Sequence, residues 1–129
     1  MGVSSDGILY FGFAVGDDET APEWMRGYSD FDDFICAKAR LPEGATYQER
    51  KPVIDGCPAE LQLYCSYDYP MHILGVRDAE HRVSRGYLKQ ISAAELAVDE
   101  AKVTAMKTWC ETNGIEWQEP AWLLCSMYG

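Results

Sequence analysis

The sequence predicts an α+β fold: a largely antiparallel sheet of four to five strands with two helices packed on one face. Three observations carry this. Short apolar or alternating runs at 8–15, 61–66, 71–76 and 122–128 are rich in strand formers. Two other stretches, opening at Ser29 and at Asp99, carry apolar residues at helical spacing. The resulting order is strand, helix, hairpin, strand, helix, strand. No internal repeat or linker divides it, so residues 1–129 read as a single domain.

The first strand is Ile8 to Val15, ILYFGFAV. It is almost continuously apolar and too short for a typical helix, which indicates a buried strand. Gly12 within it marks a bulge or a close backbone approach. Gly16 to Tyr28 is a loop holding Asp17, Asp18 and Glu19, then Pro22, Glu23 and Trp24. Ser29 is placed to cap the first helix, with Asp30, Asp32 and Asp33 in its first turn, where the helix dipole favours carboxylates. Phe31, Phe34, Ile35 and Ala39 give one apolar face, and the helix stops before Pro42. Glu43 to Pro58 is polar and reads as a connector with a short helical turn around Tyr47.

Leu61, Leu63 and Cys65 alternate with Gln62, Tyr64 and Ser66, as on a half-buried strand. Ser66 to Pro70 breaks the pattern as an Asp- and Pro-containing turn. Met71 to Val76 is apolar on both faces apart from His72, so it is an inner strand. Arg77 to His81 reads as a further turn, and Arg82 to Ile91 as a more exposed strand. Ser92-Ala93-Ala94-Glu95 matches a capping box. The main second helix starts at Asp99, with a buried stripe of Val103, Met106, Trp109 and Cys110. It ends at Asn113-Gly114. The last strand, Trp122 to Tyr128, is apolar on both faces.

Composition narrows the function classes. The formal charge is −10, from 21 acidic and 11 basic residues. Direct binding to DNA or RNA, or to an anionic membrane, depends on positive charge and is disfavoured. A basic protein partner is permitted. Five cysteines show no metal-ligand spacing and are expected as free thiols in a reducing compartment. No apolar run is long enough to span a membrane. The N-terminus lacks the features of a signal peptide, and Asp6 stands where myristoylation requires Ser or Thr. These features together indicate a soluble cytosolic protein. No phosphate-cradling motif is present, and neither a cofactor nor a metal is expected.

Two candidate sites stand out. The first is acidic: Asp17, Asp18, Glu19, Glu23, Asp30, Asp32 and Asp33 crowd one segment around Trp24 and Tyr28. Carboxylates around an aromatic anchor can dock on an Arg/Lys-rich surface, with charge steering association and aromatics carrying affinity. The bland readings are solvation of the charges, capping by the aspartates and core packing of Trp24. The second site is the hairpin turn, where Cys65, Asp68 and His72 sit among Tyr64, Tyr67 and Tyr69. A Cys–His pair facing across the hairpin would raise the thiolate fraction. A one-residue slip in register would separate them.

The opening SSDG before an apolar strand, the central CSYDYP and the ending WLLCSMYG together resemble a group of small bacteriophage accessory proteins. The resemblance runs nearly end to end. It implies phage origin and expression in a bacterial host, and hence the host cytoplasm. It names no activity and supplies no site residue. By class analogy, small acidic phage proteins without catalysis are often inhibitors of host machinery, and anti-CRISPR proteins are similar in size and charge. The leading expectation is therefore a non-enzymatic protein that blocks a basic, nucleic-acid-handling host protein or ribonucleoprotein complex. The alternatives are a small-ligand binder or enzyme using the Cys65/Asp68/His72 hairpin, and a virion assembly protein.

Overall fold

The computed structural model describes residues 5–16, 21–66 and 70–128. Four strands and three α-helices follow in the order β1 (Ser5–Val15), α1 (Phe31–Lys38), α2 (Tyr47–Asp55), β2 (Ala59–Ser66), β3 (Pro70–Ser84), α3 (Glu100–Thr112) and β4 (Ala121–Tyr128). A single 3₁₀ turn, Glu23–Met25, precedes α1. The class is α+β as expected, but the sheet is mixed. β1 pairs antiparallel with β3 and β4, and β2 pairs antiparallel with β3. Two parallel pairs, Cys65 with Met127 and Ser66 with Tyr128, then close the sheet into a small barrel in the order β1-β3-β2-β4.

Two expectations need correction. The polar stretch 77–81 is not a turn between strands, because β3 runs unbroken through it to Ser84. Its polar groups find partners on β2 and β3: Glu60 lies 3.9 Å from Arg77 and accepts the Asp78 amide at 2.8 Å, and Arg82 bonds Glu80 at 2.9 Å. The exposed strand expected at 82–91 accordingly ends at Ser84, where the Ser84 carbonyl accepts the Tyr87 amide and Gly86 takes φ 84°. Among the described residues the sheet has four strands for this reason. The second correction is α2, expected as a connector with only a short helical turn around Tyr47 and found as a helix from Tyr47 to Asp55. Thr46 and Glu49 form a reciprocal capping box that starts it, and Pro52 falls inside it.

β1 and β3 lose register between Tyr10 and Gly12, where Phe11 stands opposite the kinked segment 76–79. Gly12 marks both things its sequence position suggested. A Cβ there would lie 2.3 Å from the Leu74 carbonyl oxygen, so the backbones can touch only without a side chain.

Among the described residues the buried side chains form two clusters. Ile8, Tyr10, Ile73 and Met127 fill the inside of the curled sheet. The larger cluster joins the sheet's other face to the helices through Phe13, Leu74 and Val76 of the sheet, Phe34 and Ile35 of α1, and Met106 and Cys110 of α3. Met106 and Cys110 are fully buried, as the helical stripe predicted. Asp99 caps α3 by accepting the Ala101 amide at 2.9 Å, and Gly114 ends the helix with φ 74°. The Ser92–Glu95 capping box is also formed.

Candidate functional site

Pro22 is buried and anchors the entry to the acidic segment. The 3₁₀ turn that follows carries Glu23 on its exposed side and turns Trp24 inward. The Trp24 ring lies 6.0 Å from Phe31 and 5.0 Å from Phe34, centroid to centroid, so it folds back onto the core of α1. Tyr28 meets the same Phe34 ring edge-on at 5.2 Å. These contacts fix the segment as a shelf along α1 instead of a free loop. Asp17, Asp18 and Glu19 lie outside the described residues.

Asp30, not Ser29, is the cap of α1: its Oδ1 accepts the Asp33 amide at 2.8 Å. Asp32 is exposed on the first turn. Asp33 accepts a 2.6 Å bond from Arg50 of α2. Both partners of that pair are about a third exposed, so it orients α2 against α1 more than it stabilises the fold. Of the predicted acidic residues, Glu23, Asp30 and Asp32 therefore remain as exposed carboxylates. Arg26 is exposed between Glu23 and Asp30, Lys38 ends α1 over the Phe34 ring and Arg40 follows it, so the shelf is mainly acidic up to the first turn of α1 and basic at the helix end.

Beside this shelf lies a cleft of about 480 Å³ between α1, the 41–45 loop and α2. Tyr28, Leu41 and Pro42 give it apolar wall, while Asp33 and Glu43 give it carboxylates. Arg50 spans its floor, donating from Nη2 to Asp33 and from Nε to the Cys36 sulfur at 3.5 Å. Sequence reasoning missed Arg50, Cys36 and Glu43 as a group. The Thr46-x-x-Glu49 capping pattern was the available signal, because a helix starting there turns Arg50 back toward α1.

The hairpin site is not assembled as the Cys–His reading requires. Asp68, Tyr67 and Tyr69 lie outside the described residues. The strand register sets Cys65 opposite Pro70 and His72 opposite Leu63, so the two are diagonal neighbours offset by two residues and not a directly opposed pair. His72 is buried, its Nδ1 has no hydrogen-bond partner among the described residues, and burial pushes its pKa down. Burial also pushes the thiols of Cys57, Cys110 and Cys125 up, Cys110 to about 12. Those three are protonated, weakly nucleophilic groups at neutral pH. All five cysteines are free.

A smaller cleft, about 140 Å³, lies where β3 kinks. Asp78 lines it and takes φ 67°, with its amide held by Glu60 Oε1 at 2.8 Å. Trp122 and His81 pack ring to ring at 5.7 Å and fasten the 92–98 segment to the sheet. The Trp122 indole donates to the Leu96 carbonyl at 3.2 Å, and His81 Nε2 lies 3.3 Å from the Glu95 carbonyl.

Among the described residues, no group of three or more His, Cys, Asp or Glu is placed to hold a metal ion. No helix among them is long and apolar enough to cross a membrane. No family model, no curated protein and no solved structure matches the chain.

Proposed function

We propose that this chain is a phage-encoded, non-enzymatic interaction protein of the host cytoplasm. It binds and inhibits a basic, nucleic-acid-handling host protein, such as a CRISPR–Cas or other defence complex. The observation that carries the reading is the acidic shelf: Glu23, Asp30 and Asp32 are exposed on a segment whose aromatic residues are locked to the core. In a chain of net charge −10, this presents fixed negative charge without the entropic cost of ordering a loop on binding. Asp17, Asp18 and Glu19 extend the same charge along the sequence.

Such a surface imitates the phosphate backbone that a nucleic-acid-binding site normally holds, and its attraction speeds encounter with a basic groove. Tyr28 and the apolar wall of the neighbouring cleft supply contact area beside the charge. In this reading Trp24 acts through the shelf it braces, and the carboxylates make the contact.

The test is charge reversal. Replacing Asp17, Asp18 and Glu19, or Glu23 and Asp32, with lysines should weaken capture of the basic host protein by more than about tenfold. The thermal midpoint should stay nearly unchanged. Affinity equal to the native chain's would remove this segment from the interface.

A further inference from the structure

The stretch formed by the end of β3 and the turn that follows it stands apart from the rest of this acidic chain. From Arg82 to Lys89 it holds three basic residues and no carboxylate. The bond from the Tyr87 amide to the Ser84 carbonyl and the positive φ of Gly86 fold Ser84 to Tyr87 into a turn. That turn projects two neighbouring apolar side chains outward, Tyr87 at 78% exposure and Leu88 at 96%. Arg85 and Lys89 flank them, both exposed. An aromatic and an aliphatic residue held in water side by side, framed by cations, form a plug for an acidic, partly apolar socket.

The molecule carries such a socket elsewhere. The cleft between α1 and the 41–45 loop has the apolar wall of Tyr28, Leu41 and Pro42 and the carboxylates of Asp33 and Glu43. Arg50 and Asp33 offset each other there, and Arg50 also bonds Cys36, so the charge offered to an incoming cation is that of Glu43. Glu43 is exposed at the rim, with no salt bridge among the described residues. The volume, about 480 Å³, suits one or two inserted side chains.

We propose that the Tyr87-Leu88 tip of one molecule docks in the α1 cleft of a second copy of this chain, with Lys89 set against Glu43. The two surfaces are different patches of one molecule, so the contact is heterologous and joins copies head to tail. The cleft adjoins the acidic shelf, and a copy seated there competes with a basic partner for that side of α1. This inference does not depend on the partner reading: self-association is measured on the purified chain alone, so either can fail without the other.

Sedimentation velocity of the purified chain over rising concentration tests it. The native chain should shift from monomer to larger species. Leu88→Asp and Glu43→Lys change only exposed side chains, and each variant alone should remain monomeric, with association weakened at least about tenfold. A mixture of the two retains one intact plug and one intact socket, and should form a one-to-one dimer that grows no further. A native chain that is monomeric throughout would overturn the proposal. So would variants that associate as the native chain does, which would place the contact elsewhere, such as at the exposed Leu124 of β4. A mixture that stays monomeric would overturn it as well.

Discussion

The ring of Tyr10 occupies the space that a side chain at residue 75 would need: a Cβ on Gly75 would fall 1.5 Å from Tyr10 Cε1. Tyr10 is almost fully buried inside the curled sheet, and its ring lies flush against the β3 backbone. The curl is tight because residue 75 has no side chain. Gly75→Ala should therefore destabilise the fold by about 3 kcal/mol through overpacking. Chemical denaturation measures this. A loss below about 0.5 kcal/mol would show that the ring can move aside at little cost.

Arg77 ties α2 to the sheet. Its guanidinium donates to the Cys57 carbonyl, just past α2, at 2.6 Å and to the Ile54 carbonyl at 2.8 Å, which also accepts the Cys57 amide. Arg77→Ala should cost roughly 2 kcal/mol. Hydrogen exchange should show faster opening of residues 47–56 than of α3. Equal protection in native and variant chains would mean that α2 is held by other contacts.

His72 makes stability depend on pH. Its pKa is lowered by burial in the fold, so the unfolded chain binds a proton more readily. The stability contributed by the neutral ring is complete above the ordinary value of 6.5 and is lost as pH falls through the lower folded value. The native chain should lose stability on acidification from pH 7, and His72→Gln should show a shallower loss over the same window. Parallel curves for the two chains would contradict the assignment.

Cys110 tests the packing of α3. It is fully buried against the sheet, and Cys110→Asp places a charge there without a partner. A loss of more than about 3 kcal/mol, or failure to fold, is expected. An unchanged melting temperature would mean that α3 presents another face.

The sequence made α3 legible because its signals agree: Asp99 caps, the apolar stripe repeats, and Gly114 ends the helix. β1 and the hairpin strands were legible for the same reason. Local polarity at 77–81 resembles a turn and splits β3 in two on sequence alone, while its partner is Glu60 of β2, which lies near Arg77 and accepts the Asp78 amide. The missed helix α2 has a weak apolar face and a proline inside it, and its capping box outweighs both. The acidic segment was visible as composition, but its division of labour was not. Only folding shows that Asp30 caps, Asp33 pairs with Arg50 and Trp24 packs on Phe34. The Cys65–His72 pairing turned on a two-residue offset that alternation alone does not determine.

The partner reading stands or falls on affinity capture from the bacterial host with tagged chain, at low and high salt, read by mass spectrometry. Attraction between an acidic shelf and a basic groove weakens as salt screens it. The expected result is one basic nucleic-acid-handling complex, retained at low salt, shed at high salt and missing when Glu23 and Asp32 are replaced by lysine. No specific protein in either eluate, or a protein captured equally well by the lysine variant, would contradict it.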